Sequence, residues 1–240
     1  MEIDEIAESH FEHHLSQNPY PGRGLVIARS GEDSWLIVYW IMGRSINSRN
    51  RRLIVHKGVL RTEPIDTSLV SDPSLIIYDA MLELPGIYLV SNGDQTRTIY
   101  ETIQSGGRFE DALAKREREP DAPNYTPRIS GMLSFEGEMA TVILSILKAN
   151  PLDSAYTDRY FFQPAIPRIG YGFGLTTYSG DGEPLPSFVG EPLLLPCKGG
   201  AEEVLERYWN GLNADNRIAI GVKEIRDQGN WSGLIVKNRF

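Results

Sequence analysis

The run WLIVYWIM, Trp35 to Met42, is apolar at every position and so on both faces a strand would present. A strand with one wet face alternates apolar and polar side chains; one without that alternation must be covered on both sides. Leu25–Arg29 reads as the preceding strand of a hairpin, joined through the turn Gly31-Glu32-Asp33. Further strands are expected at Leu53–His56, Leu60–Ile65, within Asp72–Leu84 around Tyr78, and at Ile87–Val90, Ile129–Phe135, Arg217–Val222 and Leu234–Val236. Between Arg168 and Tyr178, Gly170, Gly172 and Gly174 alternate with Tyr171, Phe173 and Leu175, which bares one strand face to another backbone or a ligand. Glu138–Ala149 is apolar and suits either a strand or a helix.

Helical spacing is sparser. Ile3, Ile6, Ala7, Phe11 and Leu15 share one face over Ile3–Leu15. The turn Ser91-Asn92-Gly93 leads into a helix from Gln95 to Ile103, with Asp94 as its expected cap and Ser105-Gly106-Gly107 as its stop. Phe109–Glu117 is a further helix, and Gly199–Leu212 carries the buried stripe Val204, Leu205, Tyr208, Trp209 and Leu212. Many continuous apolar strands with few helices favour an α+β fold, two packed sheets with helices outside, over a doubly wound sheet.

At 240 residues the chain suits one domain, below the ~250–300 residues at which chains usually divide. Its formal charge of −8 argues against general nucleic-acid binding, so an anionic ligand needs a local cluster of cations. The lone Cys197 cannot form an internal bridge, no run is long enough to span a membrane, and MEIDEIAESH lacks a basic leader; a cytoplasmic protein is expected. His10, His13 and His14 lie together but His56 is remote, which falls short of a metal ligand set; neither metal nor cofactor is expected.

The cation cluster is GRSINSRNRR, Gly43–Arg52, which holds Arg44, Arg49, Arg51 and Arg52 directly after the apolar run. Guanidinium forks match carboxylate or phosphate oxygens two at a time, and strand ends are where scaffolds place function. A solvated basic loop is the plain alternative. Strand, Asn-Gly turn and helix start at 87–96 leave backbone N–H groups free for an anion, though Asn-Gly is foremost a turn. Pro120, Pro123 and Pro127 stiffen a stretch with Glu119, Asp121, Asn124, Thr126 and Arg128, either the wall of a site or a connection across a sheet edge.

NPYPGRG, IMGRSINSRNRR, DPSLIIYDAM, VSNGDQTRTI and EREPDAPNYTPRISG, in that order over 18–131, resemble the archaeal-type IMP cyclohydrolases and their bacterial relatives. The resemblance implies a four-layered αββα sandwich like that of N-terminal-nucleophile hydrolases. It also implies dehydrative closure of 5-formamidoimidazole-4-carboxamide ribotide to IMP, without cofactor, by a homo-oligomer. By motif, the family's catalytic arginine, tyrosine and glutamate fall on Arg49, Tyr78 and Glu119, with Glu117 as the alternative carboxylate. Arg44, Arg51 and Arg128 are candidates for the phosphate, beside Ser45, Asn92 and Gly93; Asp94, Gln95 and Thr96 for base or ribose; Asn47, Asn124 and Thr126 complete the binding set. The domain is expected to fill 1–240, with 1–17 as a helical addition. Two other readings stay open: a purine-nucleotide binding protein without catalysis, and an amidohydrolase on the same scaffold.

Overall fold

The protein is described by a computed structural model covering residues 2–70, 76–137 and 139–240. It is an α+β fold of two antiparallel sheets. The six-stranded sheet takes β1 (Gly24–Arg29), β2 (Ser34–Met42), β10 (Tyr171–Thr176), β11 (Leu193–Pro196), β12 (Arg217–Arg226) and β13 (Trp231–Asn238) in the order β11-β10-β1-β2-β12-β13. The seven-stranded sheet runs in chain order through β3 (Arg52–His56), β4 (Val59–Glu63), β5 (Asp79–Leu84), β6 (Ile87–Ser91), β7 (Arg128–Glu136), β8 (Met139–Ala149) and β9 (Thr157–Phe162).

Strand β2 sits inside its sheet, between β1 and β12, and both its faces are buried. Tyr39 points toward the other sheet, where its hydroxyl meets that of Tyr78 at 2.6 Å. Trp40 points the opposite way, its ring 6.0 Å from that of Tyr208 on α5 (Ala201–Gly211). Its cross-strand neighbour is Gly24, and a Cβ there would lie 1.9 Å from the indole, so only glycine leaves room for this tryptophan. The sheets approach closely elsewhere too: a Cβ on Gly221 would meet Leu60 at 2.8 Å. Along one edge the Asn238 carboxamide imitates a strand, accepting from Leu53 N–H at 2.8 Å and donating to Leu53 C=O at 2.9 Å.

Helix α5 packs on β12 and α1 (Ile3–Phe11, continued as a wider turn to Ser16) on β11. On the far side, α3 (Gln95–Gln104) and α4 (Phe109–Ala114) bury Ile99, Phe109 and Leu113 against Leu89 and Leu147 of the seven-stranded sheet. Met139–Ala149 resolves as strand. The helix expected over Phe109–Glu117 ends at Ala114, because the chain turns there into the proline stretch. Tyr78 stands just before β5 rather than within a strand, and Asp72–Leu75 lie outside the described residues. Strands β9 and β11 had no clear signal; β9 is an edge strand, where exposure lets polar residues fall on either face. No helix among the described residues is long and apolar enough to cross a membrane.

Candidate active site

A cleft of about 640 Å³ opens where five connections meet, the link from β4 to β5 reaching it through Ile76. The NPYPGRG turn contributes Tyr20, Gly22 and Arg23; the link from β2 to β3 contributes Arg44, Ser45, Asn47, Ser48 and Arg51. The proline stretch brings Glu119, Asp121, Asn124 and Thr126, and the chain after β10 brings Tyr178, Glu183 and Leu185.

Each segment is fixed locally. The basic link contains one helical turn, α2 (Ile46–Arg49), whose start is closed by Ser45 and Ser48: Ser48 N–H donates to Ser45 Oγ at 3.1 Å, and Ser45 N–H to Ser48 Oγ at 2.9 Å. Arg44 pairs with Asp181, and its guanidinium lies 5.0 Å over the Tyr20 ring. The NPYPGRG turn is stitched to the end of β10 by Thr177 N–H to Arg23 C=O (2.9 Å) and Tyr178 N–H to Pro21 C=O (3.1 Å). Glu119 N–H donates to Thr126 C=O at 3.0 Å, which folds the proline stretch back on itself.

The floor is a buried ion pair. Arg23 grips Glu119 with both prongs, Nη1 to Oε1 at 2.9 Å and Nη2 to Oε2 at 2.9 Å, and Nη1 also donates to Asn92 C=O at 2.7 Å. Burial works against the Arg23 charge, yet the adjacent Glu119 carboxylate, met through both of its oxygens, holds its proton more tightly than in water. Burial raises the phenols of Tyr39, Tyr20 and Tyr178 above the ordinary tyrosine range, so all three are neutral hydrogen-bonding groups at neutral pH.

The expected residues divide into groups. Arg44, Ser45, Asn47, Arg51, Glu119, Asn124 and Thr126 line the cleft. The Nε of Arg51 is buried without a partner among the described residues. Arg49 does not join them: its Nε donates to Gly43 C=O at 3.1 Å and its Nη2 to Asn216 at 3.4 Å, so it ties the basic link to the strand it leaves. Tyr78 stands behind the cleft, bonded to Tyr39. Glu117 is on the surface, paired with Arg159 at 2.6 Å.

The turn and helix start at 92–96 are engaged with β7. Asn92 accepts from Ile129 N–H at 2.9 Å and from the Gln95 amide at 2.9 Å, while Thr96 donates back to Gly93 C=O at 2.9 Å. Asp94 caps nothing with its side chain; its carboxylate lies between Arg116 (2.5 Å) and Arg128 (2.7 Å), two stronger partners than a helix N–H. Arg128 also donates to Gln95 Oε1 at 2.7 Å, and its burial lowers its affinity for the proton.

Arg23, Tyr20 and Tyr178 line the cleft but were not among the expected site residues, and Asp121 was named only within the proline stretch as a whole. Arg23 and Tyr20 lie in NPYPGRG, a motif that carries part of the resemblance but was given no site residue, and Tyr178 ends the glycine-aromatic strand, whose open face rather than its last tyrosine drew notice. Among the described residues no group of three or more histidine, cysteine, aspartate or glutamate side chains is placed to hold a metal ion.

The chain is 27% identical to the IMP cyclohydrolase of Methanopyrus kandleri over 163 residues, 66% of this chain and 75% of that protein. It is 29% identical to the IMP cyclohydrolase of Methanosphaera stadtmanae over 153 residues, 59% of this chain and 73% of the relative. With the IMP cyclohydrolase of Methanothrix thermoacetophila it shares 31% identity over 121 residues, 48% of this chain and 58% of that protein's length. The model of the IMP cyclohydrolase-like protein family matches residues 20–229, a span that holds every residue lining the cleft. The chain therefore belongs to the IMP cyclohydrolase-like protein family.

Proposed function

We propose that this chain is an IMP cyclohydrolase, closing 5-formamidoimidazole-4-carboxamide ribotide to IMP with loss of water. The observation that carries the reading is the buried Arg23–Glu119 pair at the floor of an arginine-rimmed cleft. At about 640 Å³ the cleft is of ordinary size for a small-molecule site, commonly ~300–1,000 Å³. In the reaction the carboxamide nitrogen attacks the formyl carbon and a C–N bond forms. The C–O bond then breaks and the former formyl oxygen leaves as water, with one proton from the carboxamide nitrogen and one from the formamido nitrogen, whose bond to the same carbon becomes C=N. Both reacting groups belong to one molecule, so holding them in line supplies much of the acceleration, up to ~7–11 kcal/mol in well-aligned cases.

Glu119 takes the proton from the carboxamide nitrogen and returns it to the departing oxygen, since each of its oxygens keeps a lone pair beyond the one Arg23 occupies. Arg23 faces the oxygen that becomes negative, taking the place that motif position assigned to Arg49. Arg51, a cleft-lining guanidinium with no carboxylate partner among the described residues, meets the phosphate with help from Arg44, Ser45 and Asn47. Arg49 and Tyr78 act as positioning residues behind this set. The facing sheets with helices on their outer sides support the αββα sandwich related to N-terminal-nucleophile hydrolases. A family match that begins at residue 20 supports reading 1–17 as an addition to one domain.

The amidohydrolase reading has little to work with at Cys197, which is fully buried beside Tyr208 with its thiol pushed up to about 12 by burial. The deciding experiment incubates the protein with the formylated ribotide and follows IMP by absorbance. IMP formation that is lost in Glu119→Gln supports the reading; tight IMP binding without turnover replaces it with the non-catalytic binding protein.

A further inference from the structure

We infer that the phenol oxygen of Tyr178 is a dedicated hydrogen-bond acceptor in the cleft, selecting ligands that present an N–H: the carboxamide of the ribotide and N1–H of the purine product. This rests on the ring-closing reading above and adds a specificity-determining residue to it.

The argument is a count of protons along a three-residue relay. Asp121 accepts from Thr126 N–H at 2.7 Å through Oδ1, and its Oδ2 contacts the Thr126 hydroxyl. A carboxylate can only accept, so the single hydroxyl proton of Thr126 goes to Asp121. Thr126 Oγ1 also lies 2.6 Å from the Tyr178 hydroxyl, and with its own proton committed it can only accept there. The phenol proton therefore points at Thr126. What remains on the Tyr178 oxygen is acceptor capacity, on a side chain that lines the cleft beside Arg23 and Glu119.

The ring is held firmly enough for this polarity to matter. It stacks on Tyr20, with centroids 5.9 Å apart, and its backbone is fixed at both ends, by Tyr178 N–H to Pro21 C=O (3.1 Å) and Thr176 Oγ1 to Tyr178 C=O (3.0 Å). An amide N–H satisfies such an oxygen. A carboxylate, or a purine whose N1 carries a lone pair, sets acceptor against acceptor at a phenol that is itself nearly buried, which is costly. The relay thus separates carboxamide from carboxylate, and 6-oxopurine from purine, before any chemistry occurs.

The test compares calorimetric binding of IMP and of purine riboside 5′-monophosphate, which share ribose and phosphate but differ at N1 and in the oxygen on C6, so the effect of Tyr178 is read from the change in preference between wild type and variants. The wild type is expected to favour IMP by at least about tenfold, the scale of one buried hydrogen bond. Tyr178→Phe removes that preference. Asp121→Asn places an amide donor against Thr126, which lets Thr126 donate to Tyr178 and turns the phenol proton into the cleft; the preference then narrows or inverts. A wild-type preference unchanged in both variants overturns the inference alone. Wild-type protein that binds neither nucleotide removes the ring-closing reading and this inference with it.

Discussion

The guanidinium of Arg23 and the carboxylate of Glu119 face each other as two forks, each prong 2.9 Å from its partner, with both side chains nearly buried. Arg23 sits just before β1 and Glu119 in the proline stretch before β7, so one pair spans both sheets. Breaking such a pair from one side leaves a buried charge alone and costs about 3–5 kcal/mol. Arg23→Ala is therefore expected to lower the urea midpoint strongly, and Arg23→Ala/Glu119→Ala to recover part of the loss. Glu119→Gln keeps the shape and an oxygen for Arg23 but leaves the buried cation unpaired, so it should unfold at a lower urea midpoint while still folded by circular dichroism in buffer, and should lose turnover by roughly 10²–10⁴-fold, the range of a proton-transfer group.

Arg51 lines the cleft and, unlike Arg44, Arg52 and Arg128, has no carboxylate partner among the described residues. Arg51→Ala is expected to raise KM for the ribotide roughly tenfold to a hundredfold, the scale of a charged hydrogen bond, with kcat little altered. Steady-state kinetics reads this, and binding of the matching nucleoside without phosphate should stay unchanged. Equal loss with both ligands would place Arg51 elsewhere in the site.

Arg49 and Asn216 hold the same stretch of chain: Asn216 C=O also accepts Gly43 N–H at 2.8 Å. Arg49→Ala and Asn216→Ala should each weaken ribotide binding, by about 0.5–1.5 kcal/mol for a hydrogen bond lost. In the double variant the effects should fall short of their sum, because both loosen one loop. Additive losses would show that Arg49 reaches the substrate on its own.

Asp94 lies between Arg116 and Arg128, and although burial opposes its ionisation, these two cations hold its carboxyl below the usual aspartate range. The unfolded chain, with a value near ~3.9, then binds the proton more readily than the folded one. The stabilisation is whole above that value and fades as the pH falls through the lower, folded value. Urea unfolding between about pH 2 and 6 should show a shallower acid limb for Asp94→Asn than for wild type. Identical limbs would mean that the two cations are satisfied without Asp94.

Legibility followed physical cause. The two-sided burial of β2 was readable because an all-apolar strand admits no other environment, and α5 because Val204, Leu205, Tyr208 and Trp209 repeat at helical spacing. Strand β9 was not, since an edge position imposes no such pattern. Glu119 could be placed in the stiffened proline stretch, and the structure puts it at the cleft while Glu117, two residues earlier, faces Arg159.

From the sequence alone came the strand-rich α+β class, the basic link after β2 and the proline stretch, because these follow from side-chain type and order along the chain. Which guanidinium faces the cleft was settled only by tertiary structure: Arg23 is turned inward by Glu119 and Asn92, and Arg49 is turned back by Gly43 and Asn216. Residue type determines how many hydrogen bonds a side chain can donate. Their direction depends on which acceptors the fold brings within reach, and Asn92, Glu119 and Asn216 lie some 70 to 170 positions away in the chain.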